Sequence, residues 1–315
     1  MKSKVSIKDI HWIFAVVGSL LMWIVIGIIA GNLNLNSLTA NMTSAAFLGI
    51  AALGQMMVIT TGRGAIDLSI PNVITLSAFL TMGIIDGNNA RMPLGLLAVL
   101  GVGVLVGALN SFLVIWLKIT PMIATLAVGY IVSSVVSIYN RSFNTMKVCS
   151  ILGNVVKKRL FNIPLIVYLV LLLGLGIYLV FRYMTYGKAL LALGQNKMAA
   201  YLAGIRVNRV ETIAYVTSGM LAALAGFFLS ARVGGAFLGM GDSYMLDTVG
   251  SVVIGGSLIA GGRAVTFGTL AGGLFLSLLV TAMQVANFAV GVQNIIKGIL
   301  IILVLVLSTT YKEKD

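Results

Sequence analysis

From Pro93 to Leu117 the chain reads PLGLLAVLGVGVLVGALNSFLVIWL, 25 residues without one charged side chain. At about 1.5 Å of rise per residue, such a helix covers the roughly 30 Å of hydrocarbon in a bilayer. Backbone N–H and C=O groups in hydrocarbon must be paired inside the segment, which forces a helix. A barrel strand would alternate polar and apolar residues over about ten positions; this run does not.

Nine further runs of the same kind flank it. The ten segments are Trp12–Gly31, Thr43–Thr60, Ile70–Ile85, Pro93–Leu117, Thr120–Tyr139, Ile163–Arg182, Thr212–Leu229, Tyr244–Ala260, Val265–Ala286 and Val292–Leu307. The first is longer than the roughly 7–15 apolar residues of a signal peptide and is read as a retained helix. The whole chain of 315 residues is 59% hydrophobic and only 9% charged. A soluble domain carries about 25% charged residues. The expected fold is therefore an all-α polytopic membrane protein of about ten transmembrane helices, a single domain over residues 1–315.

The net charge of +13 does not point to nucleic acid. The cations fall in short runs between apolar segments, without the continuous basic face that nucleic-acid binding needs. They bear instead on orientation, because Lys and Arg favour cytoplasmic loops. Lys2, Lys4 and Lys8 lead the chain, Lys312 and Lys314 end it, and Arg182, Lys188, Lys197, Arg206 and Arg209 cluster between. Ten crossings put all three groups on one side, with both termini cytoplasmic. One loop resists: Arg141, Lys147, Lys157, Lys158 and Arg159 then fall outside. Either the rule is broken there or an early segment is re-entrant.

The interruptions carry more information than the crossings. The stretch TTGRGAIDLSIP, Thr60 to Pro71, joins two apolar segments. Pro71 suits a first helical turn and Ser69 a cap, while Arg63 and Asp67 are a candidate ion pair. The stretch reads equally as a cytoplasmic turn or as a broken helix near the bilayer midplane. A second interruption runs from about 184 to 211. It predicts a short helix over Ala189–Leu193 ended by Gly194, then another from Lys197 to Ala203, capped by Asn196 and ended by Gly204. These helices are too polar to span, and their small residues suggest a docking surface on the cytoplasmic face. In a third, Asp247 heads a glycine-rich stretch through Gly255, Gly256, Gly261 and Gly262. It reads as a dipole-favoured first-turn acid or as a functional group at membrane depth. Asp67 and Asp247 mark similar breaks in the two halves, a faint sign of inverted repeats.

Glycine pairs at small-xxx-small spacing, Gly27 and Gly31, Gly103 and Gly107, Gly268 and Gly272, predict close helix crossings. The chain has one cysteine, Cys149, and one histidine, His11. No disulfide, zinc spacing, phosphate loop or hydrolase motif is present, so no cofactor and no enzymatic activity is expected.

The interruptions resemble those of permease subunits of bacterial ABC importers, most closely the branch for ribose, xylose, arabinose, galactose and related sugars. The matching pieces are Gly54, Gln55 and Thr60; Ile66 to Ser69; Gly187, Gly194, Asn196, Ala199, Ala200, Gly204 and Ile205; Ser218 and Gly219; Leu224 to Gly226; Leu246 and Asp247; Gly255 to Ser257; Gly261 and Gly262. They recur in order over most of the chain from about Gly54. The resemblance implies a multi-pass protein of the bacterial inner membrane, paired with itself or a sister permease. Two cytoplasmic ATPase subunits would drive it, and an extracytoplasmic binding protein would deliver a small-molecule substrate. It implies ATPase coupling through Gly187, Lys188, Gly194, Gln195, Asn196, Ala199, Ala200 and Gly204, and a pathway near Gln55, Asp67, Ser69 and Asp247. The chain departs from the family at Pro71 and Asn72, where a glycine is usual, and at Met245, where Glu is usual. It also lacks the family's Asn-Gly near the ninth helix. A branched-chain amino acid or nucleoside permease, and an ion-coupled secondary transporter, stay open beside the sugar importer.

Overall fold

The computed structural model describes residues 11–32, 35–141 and 147–310. Lys2, Lys4, Lys8, Lys312 and Lys314 lie outside them. The chain folds as α1 (His11–Ala30), α2 (Leu35–Thr60), α3 (Ile70–Ile85), α4 (Met92–Ile115), α5 (Pro121–Arg141) and α6 (Ser150–Lys157). A hairpin of β1 (Arg159–Leu160) and β2 (Ile163–Pro164) precedes α7 (Leu165–Tyr183). Then come α8 (Thr185–Gln195), α9 (Lys197–Leu202), α10 (Val207–Val233), α11 (Tyr244–Ile254), α12 (Thr266–Val285) and α13 (Val290–Thr310).

Among the described residues, α1, α2, α4, α5, α7, α10 and α12 are long and apolar enough to cross a membrane. Three shorter apolar helices, α3, α11 and 290–304 of α13, account for the other three of the ten runs. The eighth run ends early, at Ile254 rather than Ala260, because the Gly255-Gly256 pair turns the chain out of the helix. At 11 residues α11 spans only about 16 Å. Half a bilayer remains, and irregular backbone must cover it inside protein.

The centre of the bundle is α2 against α10, both mostly buried, while α1, α4, α5 and α7 turn one face outward. The packing repeats. α10 lies on α3 and α4 as α2 lies on α11 and α12; α3 meets α4 and α5 as α11 meets α12 and α13. Helices α2–α5 thus correspond to α10–α13. The end of α2 at Thr60 sits beside Gly194, on the side from which α10 sets out, so α2 and α10 are antiparallel and the repeat is inverted. Asp67 and Asp247 stand in its two interrupted crossings, as their spacing in the sequence suggested.

Two of the three glycine pairs find partners. A Cβ on Gly103 would lie 2.5 Å from the Gly219 carbonyl oxygen, and one on Gly107 2.5 Å from that of Tyr215. Only hydrogen fits there, so α4 and α10 touch backbone to backbone. Gly268 and Gly272 meet Gly255 and Ser251 of α11 in the same way. Gly31 has no neighbour within 4 Å of a built Cβ, so no close crossing forms at that position.

Sidedness follows from contacts. Asn89, just before α4, hydrogen-bonds Ser150 at the head of α6, and Arg159 bonds Asn36 at the start of α2. This end is opposite α8 and α9. The resisting basic loop therefore does lie on the far side. The segment after α2 is re-entrant, yet α3 leads back to the far side, so the ten apolar runs still alternate between the two ends.

Candidate functional site

Residues 61–69 turn back from the end of α2 into the protein. A buried polar clasp holds them. Asp67 Oδ1 accepts from the Ser69 amide (3.0 Å), Ser69 Oγ (2.6 Å) and Asn110 Nδ2 (3.4 Å). Its Oδ2 accepts from Ser218 Oγ of α10 at 2.7 Å. Asn110 also donates to Ser69 Oγ (2.8 Å), Gln55 Oε1 accepts from the Asp67 amide (3.3 Å), and Thr125 Oγ1 accepts from the Leu68 amide (3.0 Å). One loop is thereby tied to α2, α4, α5 and α10. Such a network is what allows non-helical backbone at membrane depth.

Two expectations fail here. Ser69 does not cap α3 with its side chain; its hydroxyl is committed to Asp67. Arg63 does not pair with Asp67: it is exposed, and no ion pair joins the two among the described residues. The re-entrant turn carries Arg63 outward at positive φ while Asp67 points into the bundle. Gln55, Asp67 and Ser69 are at most 2% exposed, so these candidate pathway residues form a closed clasp in this conformation. Two buried atoms of the clasp, Gln55 Nε2 and Asn110 Oδ1, have no hydrogen-bond partner.

The second interrupted crossing carries a charge pair. Asp247, in the first turn of α11, accepts from Lys297 Nζ of α13 at 2.9 Å. Both side chains are largely buried. Lys297, Asn110 and Thr125 were not singled out in the sequence. Lys297 had a signal, a lone cation inside the tenth apolar run, which marks a functional or paired residue by default. Asn110 stood likewise within the run quoted first.

The interruption at 184–211 forms a platform at one end of the bundle. Helix α8 is longer than expected. It starts at Thr185 and passes through Gly187 and Gly194 to Gln195, so Gly194 lies within its last turn rather than after it. Both glycines face inward: a Cβ on Gly187 would lie 2.3 Å from the Val180 carbonyl oxygen of α7. Asn196 Oδ1 caps α9 by accepting from the Ala199 amide at 3.0 Å, and Gly204 follows at positive φ. Lys197 pairs with Glu211 at 2.6 Å, fastening α9 to α10. Ala200 is buried beneath this tie, while Lys188, Gln195 and Ala199 are exposed. So are Met198 (65%), Tyr201 (66%) and Leu202 (77%), an apolar tip on α9 itself. Tyr201, Leu202, Ile205 and Arg206 line an open groove of about 670 Å³ beside it.

Ten apolar helices among the described residues, eight of them in an inverted repeat, with two interrupted crossings and a punctuated platform at one end, define a multi-pass membrane permease. The chain belongs to the family described as the branched-chain amino acid transport system / permease component, whose model matches residues 37–308. The family is one of transport components rather than enzymes. The chain is 30% identical to the ribose import permease protein RbsC of Escherichia coli K12 over 258 residues, 81% of this chain and 79% of that one. RbsC of Bacillus subtilis strain 168 is 30% identical over 262 residues, 82% and 80% of the two chains. The autoinducer 2 import system permease protein LsrD of Escherichia coli O157:H7 is 28% identical over 290 residues, 87% and 84% of the two chains. No solved structure matches the chain.

Proposed function

We propose that this chain is the membrane-spanning subunit of an ATP-driven importer that moves a monosaccharide, or a similarly small polar solute, into the cytoplasm. Membership of the permease family supports the class, and the ribose and autoinducer 2 import permeases among its relatives support the solute. One observation carries the ATP-driven part. The α8–α9 platform exposes Met198, Tyr201 and Leu202 together on a face that leaves the bundle, on a chain with no phosphate loop of its own. Contiguous exposed apolar groups rimmed by polar ones suit a protein partner. Here that partner is the ATPase subunit, which places α8–α9, the start of α1 and the end of α13 in the cytoplasm.

A second copy, or a sister permease, completes the pathway. The outward face of α4 is apolar at Leu94, Leu97, Leu105 and Phe112, as lipid requires. On α5 the exposed apolar groups Ile123, Ile131 and Ile138 run beside a more polar stripe of Tyr130, Ser134 and Ser137, with Tyr130 66% exposed near mid-helix. Tyrosine prefers the membrane–water interface to its centre. A stripe of hydroxyls at that depth suits water, a polyhydroxylated solute or the other permease. The clasp around Asp67 lies directly behind it, through Thr125. An extracytoplasmic binding protein would deliver the solute at the opposite end.

The direct test is copurification of the chain with the ATPase subunit of its proposed importer, in detergent. The reading predicts a stable complex that the Leu202→Asp replacement weakens about 30-fold, the scale of one interface hot spot. A complex of unchanged affinity contradicts the assignment of this face. Uptake of leucine in place of ribose by the assembled system would move the chain to the amino acid branch.

A further inference from the structure

Three stretches of backbone converge beneath the platform, and all three do so through glycine. A Cβ on Gly194 of α8 would lie 2.0 Å from the Thr60 carbonyl oxygen, at the end of α2, and 2.3 Å from the Gly262 nitrogen. One on Gly261 would lie 2.2 Å from the Gly62 Cα, and one on Gly262 2.6 Å from the Gln195 Cγ. The Gly262 amide also donates to the Thr60 carbonyl at 3.1 Å. Gly62, Gly261 and Gly262 all have positive φ. The last turn of α8 thus sits backbone to backbone on the end of α2 and on the turn that follows α11.

That turn is stiff. The Leu258 amide donates to the Arg263 carbonyl (3.2 Å), the Gly261 amide to the Leu258 carbonyl (3.0 Å), and the Val265 amide to Ser257 Oγ (2.9 Å). The end of α2 is closed by the Thr61 and Gly62 amides on the Val58 and Ile59 carbonyls, each at 3.0 Å. Side-chain contacts absorb small displacements by rotamer change; close-packed backbone does not, and it moves as a unit or not at all. Five residues past Gly62 stands Asp67 with its clasp. One helix before Gly261 stands Asp247, bonded to Lys297 of α13.

We infer that Gly62, Gly194, Gly261 and Gly262 form one joint, through which a displacement of α8 reaches both interrupted crossings of the inverted repeat together. These are positioning residues: they touch neither solute nor nucleotide. This rests on the importer reading, which supplies the force on α8. A single contact point explains why two short arms, far apart in sequence, both end at the same turn of α8. A joint that served only one arm would let the two halves of the pathway move out of step.

Hydrogen exchange on the wild-type complex tests this without any replacement. The chain, held by its ATPase subunits, is compared with and without a non-hydrolysable ATP analogue. The amides of 60–64, 194–196 and 260–263 should change protection together. Change at 194–196 with none at 60–64 or 260–263 overturns the joint. Replacement gives a second readout. Gly194→Ala and Gly261→Ala complexes that still bind and hydrolyse ATP should lose about tenfold in solute carried per ATP. Gly176→Ala, on α7 with no neighbour within 4 Å, should not. Equal transport per ATP in all three overturns the proposal. A wild-type chain that binds no ATPase subunit overturns the importer reading first and the joint with it, and copurification separates that outcome from the others.

Discussion

Asp67 brings a buried carboxyl group into the bundle with only neutral donors around it. Four hydrogen bonds from Ser69, Asn110 and Ser218 converge on its carboxylate. Replacing it with Leu strands those donors in a dry site, at about 1–3 kcal/mol for each one left unpaired. Asp67→Leu is expected to lower the unfolding temperature in detergent sharply, and Asp67→Asn, which still accepts, by much less. Equal stability of the two would mean that the clasp does not hold the re-entrant turn. The Asp247–Lys297 pair obeys a related rule. Removing one partner of a buried pair costs about 3–5 kcal/mol, whereas removing both costs far less. Lys297→Met should therefore destabilise the chain, and adding Asp247→Leu should restore most of the loss in the same thermal assay. A double replacement no better than the single one would rule out the pairing.

At the level of helices, the α4–α10 crossing depends on glycine having no side chain. Gly107→Leu drives a side chain into the Tyr215 carbonyl, with overpacking of about 1–3 kcal/mol or more. Gly101→Leu, on the same helix with no neighbour within 4 Å, should be tolerated. The contrast is read as monodisperse protein recovered by size exclusion. The crossings themselves were legible in the sequence because hydropathy over twenty residues is a strong signal, and all ten runs became apolar helices. Their ends were less legible. Helix α2 begins at Leu35, eight residues before the apolar run, because its polar start finds partners: Arg159 donates to Asn36 Oδ1 and Thr281 Oγ1 to Asn41 Oδ1. Asn196 was legible as a cap because capping is local. Ser69 was not, because the Asp67 carboxylate two residues away outcompetes the α3 amides for its hydroxyl. Gly194 looked like a helix end, but its need for glycine comes from Thr60 and Gly262, distant in sequence. No local pattern records such a contact.

For the whole molecule, the proposed pairing with a second permease predicts that the stripe of Tyr130, Ser134 and Ser137 on α5 faces the pathway or that partner rather than lipid. The only cysteine, Cys149, is buried, so single cysteines report cleanly. Ser134→Cys should react with a membrane-impermeant maleimide, or cross-link to its copy, in the assembled complex. Leu105→Cys on α4 should do neither. Equal protection at both positions would put α5 in lipid. The inverted repeat gives this arrangement its logic: two short arms meet one platform, the platform offers an apolar tip to another protein, and nothing in the chain binds nucleotide by a phosphate loop. The central claim is that the pathway is here and the motor is elsewhere. It is tested most directly by uptake of a labelled solute, the one its binding protein takes up from a panel of monosaccharides, into proteoliposomes that hold the chain, its ATPase subunits and that binding protein. The account predicts uptake only when ATP is hydrolysed and all three are present; uptake by this chain alone, driven by an ion gradient, would contradict it.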